Sequence, residues 1–279
     1  MRTAKTIPLL VVLMTVATVG REAMPAVVPL SPWTGLLRSI TVTVDGTAHP
    51  FIFDTGGGTT MITPEVAASV RCTPYGRNIG FRMSGEPVEF GYCDNVALRL
   101  GQVALTREPV GVFDLQSILP AGLPRADGVL SLRSFRDRPL TIALGAGRLT
   151  IETADSLAAR VKRMRPLTIR IATGPSGAET TVYVAARVGG RRVWLLLDSG
   201  NGDAALVAPH VAAMAGLKGA EGDAVIEIDG VGPVQLRVRP QPIIYDGVLG
   251  ASFMQDWILT FDLASARAWA APTNRASRK

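Results

Sequence analysis

The chain alternates short apolar runs with polar turns, and its apolar positions follow a two-residue period more often than a helical one. Ser39-Ile40-Thr41-Val42-Thr43-Val44 alternates and ends at Asp45-Gly46, a hairpin turn signal. Thr181-Val182-Tyr183-Val184-Ala185-Ala186-Arg187-Val188 followed by Gly189-Gly190 repeats the pattern. In both places the next strand loses its alternation and becomes wholly apolar: Phe51-Ile52-Phe53 and Leu195-Leu196-Leu197. Each then meets an Asp-hydroxyl-Gly turn, Asp54-Thr55-Gly56 or Asp198-Ser199-Gly200. A second apolar strand and a Pro-started helix follow, at Thr60–Ala67 and Ala205–Ala212.

A second pair of segments repeats downstream. Asp127-Gly128-Val129-Leu130-Ser131 leads through Ser134-Phe135 to Leu140-Thr141-Ile142-Ala143-Leu144. Asp246-Gly247-Val248-Leu249-Gly250 leads through Ser252-Phe253 to Leu259-Thr260-Phe261-Asp262-Leu263. Two motif pairs in one order predict two homologous lobes, residues 30–152 and 166–272. The Arg-rich stretch 153–165 joins them as a linker with a short helix, and a disordered tail occupies 273–279.

Composition fits this picture. Hydrophobic residues make up 47% and charged residues 19% of the 279, enough apolar side chain for a sizeable core. Glycine and proline are plentiful, as many short strands separated by turns require. The net charge of +6 does not point to nucleic acid, because five of the positive charges lie in the first five and last five residues. The folded part is near neutral.

Arg2 and Lys5 precede an apolar stretch from Ile7 to Val19. It is short for a membrane span and reads as a signal peptide over 1–23, with an uncleaved anchor as the alternative. The expected location is therefore periplasmic or secreted, with no other membrane association. Export would keep Cys72 and Cys93 oxidised. They lie on either side of a hairpin and are expected to form a disulfide, against two buried free thiols. No histidine lies near them, so no metal site and no cofactor is expected.

A lone Asp-Thr-Gly is usually only a turn. Here the unbroken apolar residues before it leave a carboxylate at the edge of a core, which is costly unless something pairs with it or uses it. The arrangement occurs once per lobe. His49 and His210 sit beside prolines and read as a loop residue and a helix-start residue. The sequence holds no zinc-protease, nucleophile-elbow or phosphate-loop motif.

On these residues the chain resembles the aspartic protease superfamily, with pepsin-like two-lobe organisation and local motifs nearer the bacterial retropepsin-like domains. Phe53-Asp54-Thr55-Gly56 and Leu197-Asp198-Ser199-Gly200 match its first element. Val129-Leu130-Ser131 and Val248-Leu249-Gly250 match its second. The resemblance implies an all-β fold of two homologous six-stranded-type barrel lobes about a pseudo-two-fold axis. It implies an aspartic endopeptidase with Asp54 and Asp198 sharing one proton, and Thr55, Gly56, Ser199 and Gly200 supporting them. It implies a polypeptide substrate, a monomer that is an internal pseudodimer, and a flap hairpin over Gly80–Phe90 with Met83, Ser84 and Gly85 at its tip.

The chain also departs from the family pattern. Gly57 and Gly58 stand where the family often has a small residue and then a hydroxyl, which Thr59 or Thr60 is expected to supply. Ser131 replaces the usual glycine, and Asp203 is a third carboxylate near the pair. These departures leave an alternative, a catalytically inactive module of the same fold that binds a peptide or other ligand.

Overall fold

A computed structural model describes residues 24–105, 107–174, 177–202, 205–217 and 221–273. The expected signal peptide, residues 274–279 of the tail, and Asp203 lie outside the described residues.

The alternating strands form as their pattern predicts. Along Arg38–Val44, Ile40, Val42 and Val44 are buried, and along Thr181–Val188 the buried apolar set includes Val182, Val184, Ala186 and Val188. Each strand turns back antiparallel into Thr47–Phe53 or Arg191–Leu197. Those second strands are buried on both faces at their apolar ends because each has a parallel neighbour. Gly128–Leu130 pairs parallel with Phe51–Phe53, and Gly247–Leu249 pairs parallel with Leu195–Leu197. Met61–Ile62 and Ala205–Val207 then pair antiparallel with these third strands. The four-strand unit is thus built twice.

The second lobe closes. Its strands run in the order 169–172, 181–188, 191–197, 247–249, 205–207, 232–240 and 222–228, and Ala186 and Arg187 pair back onto Ile228 and Glu227. The six strands from 181–188 onwards therefore form a closed barrel. In the first lobe the corresponding edge of Arg38–Val44 is taken by Leu98–Leu100, through Val44–Leu98 and Thr43–Arg99.

A third sheet holds the lobes together. Its order is Ala26–Pro29, Arg148–Ile151, Leu140–Ala143, Trp257–Asp262, Arg267–Pro272 and Arg165–Leu167. Leu140–Ala143 and Trp257–Asp262 meet antiparallel at its centre. Leu140 faces Phe261, Thr141 faces Thr260 and Ile142 faces Leu259. Equivalent residues of the repeat therefore cross at Thr141–Thr260, whose buried hydroxyls hydrogen-bond at 2.8 Å. This marks the pseudo-two-fold axis.

The lobe connection carries the helix Ala154–Val161, started by a capping box between Thr153 and Ser156. Beneath it Glu152, buried, accepts from Thr141, Ser156 and Arg160. Cys72 and Cys93 are bridged, with Cα atoms 6.0 Å apart. The bridge ties the chain just after the helix Pro64–Ser69 to the base of the hairpin that follows. Such a bond persists in an oxidising compartment. No helix among the described residues is long and apolar enough to cross a membrane.

Candidate active site

The two Asp turns meet on the pseudo-two-fold axis, and their hydroxyls clasp each other's backbone. The Thr55 N–H donates to Ser199 Oγ at 3.0 Å, and the Ser199 N–H donates to Thr55 Oγ1 at 3.0 Å. Each hydroxyl then donates across the axis, Thr55 to the Leu197 carbonyl at 2.8 Å and Ser199 to the Phe53 carbonyl at 2.9 Å. All four bonds are buried. A buried hydroxyl with donor and acceptor roles both filled is rotationally fixed, so the two turns are held rigidly against each other.

The carboxyls are placed by the same backbone. The Gly56 N–H donates to Asp54 Oδ1 and the Gly200 N–H to Asp198 Oδ1, each at 2.8 Å. Both glycines are required by close approach. A Cβ on Gly56 would lie 2.4 Å from Asp198 Cγ, and one on Gly200 would lie 2.7 Å from Asp54 Cγ. Each turn thus faces the other's carboxyl.

Two close carboxyls with little water cannot both ionise cheaply. Asp198 is 7% exposed, and burial, then the negative charge of Asp54, hold its carboxyl well above the usual range. Burial also raises Asp54. Its hydrogen bond with Asp198 and the N–H groups of Gly56, Gly57 and Gly200 oppose that rise. The two carboxyls therefore titrate as one unit, with burial raising both and the mutual charge favouring a single shared proton.

The departures after the first turn are accommodated without a hydroxyl on Asp54. Thr59 donates to the Ala178 carbonyl at 3.2 Å, and Thr60 bonds Ser131 and Ser134 at 3.1 and 2.7 Å. Neither threonine takes the role expected of it, because Thr59 is drawn to the Ala178 loop of the second lobe and Thr60 into its own lobe's serines. Ser131 is tolerated because it is part of that network. At the equivalent Gly250, a Cβ would lie 2.6 Å from the Asn201 carbonyl oxygen.

A cavity of about 550 Å³ opens over the pair. The expected flap is the hairpin Tyr75–Phe81/Pro87–Cys93, turning at Arg82–Glu86. Met83 and Ser84 line the cavity, and the Met83 carbonyl accepts from the Ile244 N–H of the other lobe at 3.0 Å. The hairpin therefore spans the cleft. Its Met83 packs on an apolar cluster of Leu196, Leu206 and Val248.

His210 stands at a helix start as expected, whereas His49 lies in a strand and not in a loop. His49 lies within the strand Thr47–Phe53 and bonds Asp127 at 2.9 Å. His210, in the helix Pro209–Met214, bonds Asp246 at 3.1 Å. Asp127 and Asp246 are equivalent residues of the repeat, so the histidines secure the two third strands. Among the described residues no group of three or more His, Cys, Asp or Glu is placed to hold a metal ion.

Three lining residues escape sequence reasoning: Glu179, Tyr183 and Tyr245. Tyr183 and Tyr245 are hydrogen-bonded together, and burial raises the pKa of both phenols. Tyr245 could have been found from its place directly before the Asp246-Gly247 motif. Glu179 carries no such signal.

Comparison with known proteins agrees with this geometry. Residues 40–132 match the family described as aspartyl protease. No curated protein matches the sequence. Solved structures share the fold at low identity. Basic 7S globulin from soybean has a TM-score of 0.60 at 11% identity, over 91% of this chain and 96% of that one. Conglutin gamma from lupine seeds, described as a basic 7S globulin, has 0.61 at 10%, over 91% and 96%. An aspartic proteinase from Irpex lacteus has 0.55 at 14%, over 90% and 98%. The matched stretch holds the first Asp turn and a third of the chain, and about nine-tenths of the chain shares the fold of these structures.

Proposed function

We propose that the protein is an aspartic endopeptidase, hydrolysing peptide bonds with a water activated between Asp54 and Asp198. Two carboxyls set facing each other by clasped turns, beneath a hairpin that spans the cleft, carry this reading. One carboxylate takes a proton from the water as it attacks the scissile carbonyl. The other carboxyl gives its proton to the carbonyl oxygen. The roles then reverse to protonate the leaving nitrogen. Thr55 and Ser199 hold the turns, and Gly56 and Gly200 hold the carboxylates. Met83, Ser84 and Gly85 form the flap tip. The substrate is a polypeptide, and the protein works as an exported monomer, since a single chain supplies both halves of the site.

The test is hydrolysis of casein and of a fluorogenic peptide library at acid pH by the wild type and by Asp54→Asn. Cleavage by the wild type alone is expected. Equal cleavage by both would overturn the assignment.

A second reading is favoured by one contact and one absence. The flap is latched to the opposite lobe through Met83 and Ile244, and Asp54 lacks a side-chain hydroxyl donor from Gly57. A cleft of this kind suits a module that binds a peptide and does not cut it. Heat stabilisation by a peptide-like aspartic protease inhibitor, with casein left intact, would select this reading.

A further inference from the structure

Among the described residues Glu179 is the one carboxyl lining the cavity besides the central pair. Its surroundings hold it in place without neutralising it. The loop that carries it belongs to the second lobe but is fastened to the first. The Thr180 N–H donates to the Gly58 carbonyl at 2.9 Å, Thr59 donates to the Ala178 carbonyl, and Arg133 donates to the Gly177 carbonyl at 3.0 Å. The Glu179 N–H itself bonds the Thr173 carbonyl at 3.0 Å. Four contacts on either side of one residue fix where its side chain starts.

Space for the carboxyl is kept by glycines. A Cβ on Gly174 would lie 2.7 Å from Glu179 Cδ, and one on Gly58 would lie 3.3 Å from its Cγ. The side chain therefore rests between the loop after the first Asp turn and the loop before the second lobe's first long strand, half-buried at the cavity wall. Among the described residues no hydrogen-bond donor or cation meets its carboxylate. The only cation lining the cavity among the described residues, Arg82, pairs with Glu86 on its own hairpin at 3.4 Å. Tyr183 and Tyr245 complete the polar wall, bonded to each other. Partial burial without a partner is costly to a carboxylate, and a ligand cation removes that cost. Burial accordingly raises the pKa of Glu179 while the cleft is empty of such a partner.

We propose that Glu179 forms an anionic subsite that selects a lysine or arginine side chain in the bound polypeptide. This rests on the cleft being a polypeptide site, but not on its being catalytic. An acidic residue at the same place in the peptide would set two carboxylates against each other in a partly desolvated wall and be rejected.

The experiment uses one peptide series in which lysine, norleucine and glutamate are scanned through the positions flanking the scissile bond. The readouts are kcat/KM and, by calorimetry, affinity for non-cleavable versions. In the wild type one position should favour lysine over norleucine on the order of tenfold or more, with glutamate below both. Glu179→Gln should erase the lysine preference, bringing the lysine and norleucine peptides to similar kcat/KM. Glu179→Lys should reverse it in favour of glutamate, which a merely structural loop residue would not do. Cleavage with no basic preference, or a preference that survives in Glu179→Gln, overturns the subsite and leaves the protease standing. Lysine-selective affinity without cleavage supports the subsite and removes the protease. Failure of every peptide to bind overturns the subsite.

Discussion

The same hairpin occurs once in each lobe, after the helix that follows the Asp turn, and the two copies have opposite fates. In the second lobe, Gly222–Ile228/Gly232–Pro240 folds back onto its own barrel, its first strand against Ala186 and Arg187 and its second parallel to Ala205–Val207. In the first lobe, Tyr75–Phe81/Pro87–Cys93 finds that slot occupied. The chain after Cys93 makes an extra hairpin, and Leu98–Leu100 takes the edge of Arg38–Val44. Val110–Val112 is then inserted between the hairpin and Met61–Ile62. Tyr75–Phe81 is left as an edge strand, and the hairpin leans across the cleft to bond Ile244. One hairpin thus serves the barrel that made it, and the other is released to cover both. The segment after Cys93 thus frees one hairpin to reach the other lobe, while the Asp turns on the axis stay symmetric.

The largest expected effect tests that symmetry. If the two lobes contribute equally to one proton-sharing unit, Asp54→Asn and Asp198→Asn each reduce kcat by about 10³-fold or more, and the double variant is little worse than either. Asn keeps size and hydrogen bonds but can neither take the water's proton nor share the pair's. Near-additive losses in purified protein would show two independent carboxylates.

The symmetric part was legible because it is local. Phe51–Gly56 and Leu195–Gly200 contain their own strand, turn and close-approach glycine, and Asp127–Leu144 and Asp246–Leu263 contain theirs. The hairpin expected to serve as a flap was legible too, since the turn at Ser84-Gly85 lies between runs that pair as predicted. What could not be read was competition between distant segments. Nothing in Leu98-Arg99-Leu100 states that it displaces a hairpin. Nothing in Thr59 or Thr60 states that their hydroxyls go to Ala178 and to Ser131 and Ser134 instead of the carboxyl. Glu179 looked like any loop glutamate, because its environment is assembled from three glycines and a loop of the other lobe. The pairing of His49 and His210 with Asp127 and Asp246 was hidden for the same reason, although both partners lay in recognised motifs.

The hairpins can be separated by disturbing their tips. Deleting Ser84–Pro87 should lower turnover by about 10²-fold, through loss of closure over the substrate, with little change in melting temperature. The second lobe's turn should respond in reverse. Gly230 has φ of +84°, and a Cβ there would lie 2.0 Å from the Pro166 carbonyl oxygen. Gly230→Ala should therefore cost stability, roughly 2–4 kcal/mol, seen as a lower denaturant midpoint, with turnover per folded molecule retained. A flap deletion that unfolds the protein without touching specific activity would erase the distinction.

The disulfide anchors only the released hairpin, so it sharpens the comparison further. Cys72→Ser with Cys93→Ser should cost about 2–4 kcal/mol by denaturant unfolding. Limited proteolysis should then cut within Thr73–Tyr92 before it cuts within Gly222–Pro240. Earlier cutting in the second lobe would mean that the bridge supports the whole molecule and not the flap.

The smallest effect asks which lobe keeps the shared proton. Asp198 is held well above the usual range by burial and by the charge of Asp54, so the folded state keeps a proton that the unfolded chain gives up at an ordinary aspartate value. Its contribution to stability is fully present below the unfolded value. It is lost as pH rises towards the folded one, with a slope of at most about 1.4 kcal/mol per pH unit. Asp262 works in the opposite sense, since its pKa is lowered and its contribution is lost as pH falls, so the comparison must be between variants and not of one curve. Asp198→Asn removes the proton and should flatten the fall in stability as pH rises above the ordinary aspartate range. Asp54→Asn leaves Asp198 in its buried site, where desolvation, the larger cause, still raises it, so part of the fall should remain. Superimposable curves for the two variants would mean that the surroundings of the pair are as symmetric as its hydrogen bonds, and that the difference in burial between Asp54 and Asp198 has no energetic weight.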